Sequence, residues 1–323
     1  MASPLAIKLE THNERDSGQE MDEQCVICCI SAMLRQEEQY LCHDYLGIQS
    51  AESQHLSTTH VIDETCRSKM CEWIYHVIDS TRLQRETASV AMGFLDRYLS
   101  SSSERAEGAK LDRKEYQLAA MTCLYIAVKI REPFEMDAGL MSRLSRGMHS
   151  AEEITTLEYD ILIALQWKVN GPTPIQFINH IMELLPDSAK SAAPTLYEHS
   201  HFQAELAVGD YAFVPYLRQS TIAVASILNS LSSIERGSHH FNECVEFIQD
   251  LSSAFDLDID SPVVNAVRAR LLHSFAKSSG YELTEGVVPI VPTQQIPLKS
   301  GAFQLEDSPH CVSKPLALED FMS

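Results

Sequence analysis

The chain lacks any hydrophobic stretch of about eighteen residues, the length that an α-helix needs to cross a bilayer, so a membrane span is excluded. Positive charge is also scarce: 25 Lys and Arg face 45 Asp and Glu, and the formal net charge is −20. Because nucleic acid is held by clustered Lys and Arg, this balance argues against nucleic acid as the main partner. It favours basic protein partners or substrates, although an acidic surface also serves solubility alone.

Motifs of catalysis are missing as well. The sequence has no Gly-rich phosphate loop, no HExxH and no GxSxG. A CxxC spacing occurs at Cys25, Cys28 and Cys29, but zinc needs about four ligands and no second cysteine pair follows. His239, His240 and Cys244 have helical ligand spacing, which is also typical of a polar helix start. We therefore expect a non-catalytic protein without a metal or a cofactor.

The nine cysteines give no disulfide pattern. Cys71, Cys123 and Cys244 fall among core-like residues, where a free thiol behaves as a small hydrophobic side chain. The polar N-terminal residues also lack the apolar stretch of a signal peptide. We expect a reducing compartment, the nucleus and cytoplasm.

Strand signals are nearly absent, and apolar residues recur at spacings of three and four, which indicates amphipathic helices. A disordered tail is predicted at 1–22, followed by an N-terminal helix and a connection at 23–61. The following helices are predicted at 62–79, 84–99, 112–131, 137–146 and 150–167, then, after a Pro- and Gly-rich break, at 174–185, 191–211, 213–232, 238–253 and 260–276. Residues Ser100–Lys110 are expected to be a solvated loop, and 279–323 a second disordered tail.

Two charged residues occupy helix patterns that are otherwise apolar. Arg67 precedes the apolar positions of the first predicted helix of the main body, and Asp96 lies near the end of the second. An unpaired charge in a low-dielectric interior costs several kcal/mol, on the order of the whole stability of many domains. Arg67 and Asp96 are therefore expected to form an ion pair with each other.

Four segments read together resemble the box of the cyclin family. They are the Arg67–Trp73 stretch, LDRYLS at 95–100, LAAMTCLYIAVKIRE at 118–132 and LEYDILIALQWKV at 157–169. The second half resembles the family's C-terminal fold through PTPIQFINH at 172–180 and AELAVGDYAFVPYLRQSTIAVASI at 204–227. The resemblance implies an all-α protein of tandem cyclin folds, two five-helix bundles with an extra N-terminal helix, at 62–169 and 170–278.

The five hallmark positions of the family have matching residues here: Arg67, Asp96, Leu118, Lys129 and Glu158. The resemblance implies that Lys129 and Glu158 bind a kinase near its regulatory helix, although an internal ion pair between two helices is the alternative. Arg67 and Asp96 are assigned to a structural pair, and Leu118 to the core of the box. The loop after LDRYLS is longer than in the best-known cyclins, and loop insertions cost little.

A substrate-docking patch is also implied by the resemblance. Its matching residues are Cys66, Met70, Trp73 and Gln117, with Cys66 in place of the family's usual Met. The patch would be a shallow apolar cleft that binds Arg-x-Leu motifs of kinase substrates and inhibitors. The alternative is that Trp73 fills the hydrophobic core.

The function implied is that of a regulatory subunit that binds and activates a cyclin-dependent Ser/Thr protein kinase. The helix before the box, within 32–46, resembles the lead-in of D-type cyclins and favours cell-cycle control of a G1-like kind. Two alternatives keep the fold: a transcription-associated cyclin that directs a kinase to RNA polymerase, and a DNA-binding factor of the TFIIB type. The acidic charge and the missing second CxxC argue against the latter.

Overall fold

The computed structural model describes residues 17–47, 61–133 and 136–279. This part of the chain contains twelve α-helices and no β-strand, which confirms the all-α class. None of its helices is long and apolar enough to span a membrane. The helices are α1 (Ser17–Glu37), α2 (Glu64–Thr81), α3 (Glu86–Leu99), α4 (Glu104–Leu111), α5 (Arg113–Arg131), α6 (Ala138–Leu144), α7 (Ala151–Ala164), α8 (Pro174–Glu183), α9 (Ala193–Gly209), α10 (Gln219–Ser230), α11 (His239–Phe255) and α12 (Pro262–Ser279).

The described residues fall into two compact units. The first unit contains 41–47, 61–133, 136–170 and 208–216, and the second contains 17–40, 171–207 and 217–279. Helix α1 therefore belongs to the second unit, although it precedes the first in sequence. Most of the predicted tails, and residues 48–60 of the 23–61 segment, lie outside the described residues, but α1 begins at Ser17, six residues before the predicted start.

Helix α5 is the centre of the first unit. Every residue from Tyr116 to Val128 is buried, including Leu118, so the helix is covered on all sides as an all-round apolar sequence predicts. Asp112 begins the helix, because its carboxylate accepts a hydrogen bond from the backbone N–H of Lys114. Helices α3, α4 and α7 pack against α5.

The segment expected to be a solvated loop is folded. Residues Glu104–Leu111 form α4, with Ala106 and Ala109 fully covered against the first-unit core. The two alanines are one turn apart, and their small side chains allow the helix backbone to approach its neighbours closely. The prediction for Ser100–Lys110 was wrong because the many charges and one glycine of this stretch obscured so narrow an apolar face.

Helix α7 has a well-defined start and an unusual end. Its capping box is complete: the Ser150 hydroxyl accepts from the Glu153 N–H at 3.1 Å, and the Glu153 carboxylate accepts from the Ser150 N–H at 2.7 Å. The helix ends at Ala164, three residues before the predicted end. Gln166 and Trp167 then adopt left-handed backbone conformations, with φ of 54° and 58°.

In the second unit, α8 begins at Pro174 with Thr173 as its N-cap, where the Thr173 hydroxyl accepts from the Gln176 N–H at 3.1 Å. Gly171 is required just before this start. A Cβ atom at Gly171 would lie 2.5 Å from the Tyr40 ring, closer than any side chain tolerates.

Helix α1 is anchored to the second unit by its apolar face and by its last turn. Ile30 is buried in the second-unit core, and the buried carboxylate of Glu37 accepts hydrogen bonds from the Ser220 N–H at 2.9 Å and hydroxyl at 2.7 Å. Glu37 thereby caps the start of α10, and an Arg218–Glu38 ion pair lies beside it. Burial raises the pKa of Glu37, although both Ser220 bonds oppose that effect. Helix α10 begins at Gln219, later than the predicted residue 213.

Candidate partner-binding site

Arg67 on α2 and Asp96 on α3 are brought together in the first unit. The Arg67 Nε donates to Asp96 Oδ1 and its Nη2 donates to Oδ2, both at 2.8 Å. This bidentate geometry is the strongest form of a carboxylate–guanidinium contact. Both side chains are buried, so the pair lies in the interior of the unit.

Residues from two further segments form hydrogen bonds with this pair. The Tyr45 hydroxyl donates to Asp96 Oδ1 at 2.8 Å, and Arg67 Nη1 donates to the Val208 carbonyl at 2.8 Å. Burial by itself would lower the pKa of Arg67, but the charge and hydrogen bonds of Asp96 raise it well above its ordinary value. Burial and the nearby negative charge of Asp96 also raise the pKa of Tyr45. Each of the three guanidinium nitrogens of Arg67 therefore donates a hydrogen bond, and Asp96 accepts a further one from Tyr45.

Lys129 and Glu158 form a second ion pair, at the surface of the first unit. Lys129 lies in the last turn of α5, and its Nζ is 2.6 Å from Glu158 Oε1 on α7. The Lys129 side chain is 44% exposed and that of Glu158 is 16% exposed. The Lys129 Nζ also lies 4.8 Å from the centre of the Tyr125 ring. Burial lowers the pKa of Lys129, but the bond to Glu158 outweighs it and the net direction is upward.

This exposed pair keeps the capacity to bind another polypeptide. An ammonium group carries three donors and a carboxylate two acceptor oxygens, whereas the Lys129–Glu158 contact joins one nitrogen to one oxygen. The internal ion pair that the sequence left as an alternative is therefore present, and it leaves Lys129 about half exposed and Glu158 partly exposed.

Exposed apolar side chains adjoin this pair in sequence. Tyr159 follows Glu158, Ile163 lies one helical turn further along α7, Trp167 follows the helix end, and Ile130 follows Lys129. Trp167 is 60% exposed, which is unusual for so large an apolar side chain. We call Tyr159, Ile163 and Trp167 the α7 patch. The sequence analysis missed it, although apolar residues four apart at 159 and 163, off the buried 154–157–161 stripe, were a usable signal.

The backbone at Trp167 is strained, and hydrogen bonds from Arg97 stabilise it. Two successive non-glycine residues in the left-handed region cost on the order of 1–3 kcal/mol each. The Arg97 guanidinium binds both sides of this turn: Nη1 donates to the Lys168 carbonyl at 2.6 Å and Nη2 donates to the Leu165 carbonyl at 3.4 Å. Arg97 thus holds the turn that presents the Trp167 ring to solvent.

The residues of the predicted docking patch lie mainly inside the first unit. Trp73 is 8% exposed and belongs to the hydrophobic core, Cys66 and Gln117 are buried, and Met70 is half-buried. The Gln117 Oε1 lies 3.4 Å from the His149 Nε2. The structure thus places Trp73 where the core-filling alternative expected it, and the docking role stays a prediction.

The CxxC segment does not form a metal site with its neighbours. Within the described residues, no group of three or more His, Cys, Asp or Glu side chains is arranged to hold a metal ion. The eight cysteines that the structure describes are free thiols.

Comparison with protein families identifies the fold. A model of the cyclin N-terminal domain matches residues 29–170, and a model of the cyclin C-terminal domain matches residues 172–258. The chain belongs to the cyclin family. Lys129, Glu158 and the α7 patch all lie within the N-terminal match.

The relatives of this cyclin are named for different stages of the cell cycle. It is 30% identical over 186 residues to G2/mitotic-specific cyclin-2 of Antirrhinum majus, covering 57% of this chain and 37% of that one. It is 24% identical over 195 residues to G1/S-specific cyclin-D1 of Mus musculus, covering 60% and 63%. The match therefore spans less than two thirds of these relatives' own length.

A solved structure supports the same architecture. The viral cyclin from herpesvirus saimiri superposes with a TM-score of 0.51 and 20% sequence identity, over 68% of this chain and 89% of the viral one. The tandem cyclin folds and the N-terminal helix are therefore confirmed. The short helix α4 is an addition that the sequence analysis did not expect.

Proposed function

We propose that this cyclin is a non-catalytic regulatory subunit that binds and activates a cyclin-dependent Ser/Thr protein kinase. The observation that carries the proposal is the Lys129–Glu158 pair at the surface of the first unit, with the exposed α7 patch beginning at the next residue. Membership of the cyclin family supports the class of partner.

The pair and the patch divide the work of binding. Lys129 donates to exposed backbone carbonyls of the kinase, and Glu158 accepts from its amides; such charge-assisted bonds are stronger than neutral ones. The α7 patch supplies apolar area, and Tyr and Trp are the residue types that most often dominate binding energy. The polar pair therefore sets the register of the complex, and the aromatic side chains provide most of its affinity.

Activation follows from differential binding. A kinase that alternates between two positions of its regulatory helix is shifted toward the active one by any protein that binds that position more tightly. The cyclin supplies no reacting group in this scheme, and the kinase carries out all phosphoryl transfer.

The finer role we propose is cell-cycle control of a G1-like kind, in the nucleus and cytoplasm, with kinase substrates and inhibitors as further partners at the patch of Met70 and Trp73. Relatives named for G1/S and for G2/mitosis both match, so the G1 assignment depends on the D-like helix before the box. Protein abundance that rises and falls across the division cycle supports this role. Constant abundance would instead favour the transcription-associated alternative.

The test is co-purification of the kinase with the double variant Lys129→Ala and Glu158→Ala, followed by mass spectrometry. We expect the kinase to be lost while the helical circular dichroism stays unchanged. The control is Arg85→Ala with Asp79→Ala, which removes another exposed ion pair of the same unit, and this variant should retain the kinase. Full kinase binding and activation in the Lys129/Glu158 variant would reject the proposal.

A further inference from the structure

Three cysteines share one face of helix α1. Cys25 and Cys28 are exposed and Cys29 is half-buried, on the side that does not carry the buried Ile30. Their spacings of three and four residues place Cys28 and Cys29 one helical turn from Cys25. We call these residues the α1 thiol triad. The proposed kinase binding makes no use of it.

The other described cysteines are unsuited to solution chemistry. Cys42, Cys66, Cys71, Cys123 and Cys244 are all buried. Burial raises the pKa of Cys42 and of Cys71 to about 12, so the reactive thiolate is suppressed as well as shielded. Oxidants that meet the described part of this cyclin therefore encounter accessible thiols only in the α1 thiol triad.

The members of the triad influence one another. The Gln24 side-chain amide lies 3.7 Å from the Cys28 Sγ. Burial raises the pKa of Cys29, and the negative charge and a hydrogen bond of Cys25, with charge on Cys28 and Glu183, raise it further.

We propose that the α1 thiol triad is a redox modification site in which Cys25 forms a reversible disulfide with a thiol one turn away, Cys28 or Cys29. The oxidant is a hydroperoxide. The Cys25 thiolate attacks one peroxide oxygen, the O–O bond breaks, and Cys25 becomes a sulfenic acid as the other oxygen leaves and takes up a proton. The second thiolate then attacks the Cys25 sulfur, the S–O bond breaks, and the hydroxide leaves as water after protonation.

An intact α-helix holds these thiols near one another, but a disulfide between them requires a local change of the backbone. Residues three or four apart on a helix have Cβ atoms about 5–6 Å apart. Disulfides span Cα separations of about 4.4–6.8 Å, with Cβ atoms about 3.5–4.5 Å apart, so closure needs a local adjustment of one turn of α1. Val26 lies within this turn and packs against the second-unit core, so the adjustment shifts its packing, whereas the buried Ile30 and the Glu37 hydrogen bonds lie beyond the turn.

The test uses the full chain with Cys311→Ser, because Cys311 lies outside the described residues. The protein is treated with hydrogen peroxide, alkylated and digested, and the peptide that carries residues 25–29 is analysed by mass spectrometry before and after dithiothreitol. We expect this peptide to lose two hydrogens, to regain them on reduction, and to react before any buried cysteine. Cys25→Ser should abolish the disulfide, and Cys28→Ser and Cys29→Ser together should abolish it too.

The single variants identify the second thiol: the one of Cys28→Ser and Cys29→Ser that blocks closure removes the partner of Cys25. Three outcomes would overturn the proposal. They are a disulfide that persists in Cys25→Ser, links that form only between two protein molecules, and oxidation that stops at sulfinic acid without any disulfide. Circular dichroism of each variant checks that the overall helical content is unchanged.

Discussion

The two ion pairs of the first unit each join a basic and an acidic side chain at the same separation in sequence, but they differ in burial. In each pair, 29 residues separate the basic from the acidic member. Arg67–Asp96 is buried and also hydrogen-bonds to Tyr45 and the Val208 carbonyl, whereas Lys129–Glu158 lies at the surface and the α7 patch begins at the residue after Glu158. We therefore expect the buried pair to serve the fold and the surface pair to be available to a partner.

The energetic reason is desolvation. Removing one member of a buried pair leaves the other charge without water or partner, which costs several kcal/mol, about 3–5. An exposed pair gains little, about 0–1 kcal/mol, because water competes for both charges. The fold therefore tolerates changes at Lys129 and Glu158 that it does not tolerate at Arg67 and Asp96.

The largest expected effect is on Asp96. Asp96→Ala leaves the Arg67 guanidinium and the Tyr45 hydroxyl without their acceptor, and should lower the free energy of unfolding by about 3–5 kcal/mol. Glu158→Ala should lower it by less than about 1 kcal/mol. Urea denaturation followed by circular dichroism measures both. Equal losses in the two variants, or an unchanged Asp96→Ala midpoint, would remove the distinction between the pairs.

The two tryptophans of this cyclin also differ in burial: Trp73 is buried in the core and Trp167 is exposed. Trp167→Ala should weaken kinase binding by about 2 kcal/mol, or roughly thirtyfold, while unfolding changes by less than about 0.5 kcal/mol. Trp73→Ala should cost about 3–5 kcal/mol of stability, because it empties a core position. Titration calorimetry with the purified kinase and urea denaturation separate the two effects. Undiminished binding by Trp167→Ala would remove the α7 patch from the interface.

The smallest expected effect is a pH dependence from His149, which is buried beside Gln117 and whose Nδ1 has no hydrogen-bond partner among the described residues. Burial lowers the pKa of His149 below its ordinary value of 6.5, helped by Lys114 and opposed by Glu153. Because the unfolded chain then binds more protons, this contribution to stability is present above pH 6.5 and is lost as the pH falls through the lowered pKa.

His149→Gln should therefore lose less stability than the wild type between about pH 7.5 and about pH 5.5, the range in which histidine titrates. His76→Gln, which removes an exposed histidine of α2, is the matched control for the loss of one histidine. Parallel pH slopes for wild type and His149→Gln in urea denaturation would show that His149 does not contribute.

Much of the fold could be predicted because the apolar spacing of the helices is regular and their starts carry sequence signals, such as Thr173 before Pro174. Helix α4 could not be predicted, because the two buried alanines form too weak an apolar pattern. The end of α7 was also missed, since the left-handed turn at Gln166 and Trp167 depends on the Arg97 side chain from another helix.

The pairing of Arg67 with Asp96 could be expected from electrostatics. The further hydrogen-bond partners of this pair could not be predicted from the sequence. Tyr45 lies 51 residues from Asp96, and Val208 lies 141 residues from Arg67, so no local pattern links them. The contribution of the α7 patch depends on which face of α7 the fold leaves uncovered. Such long-range features emerge only from packing.

A charge exchange at the surface pair tests the central claim most directly. In Lys129→Glu with Glu158→Lys the two helices keep an ion pair, but the donor and the acceptor offered to a partner trade places. We predict unchanged urea denaturation and loss of binding to the purified kinase by titration calorimetry. Wild-type affinity in this exchanged variant would show that the pair serves only the internal contact between α5 and α7, and would contradict the partner-binding role of Lys129 and Glu158.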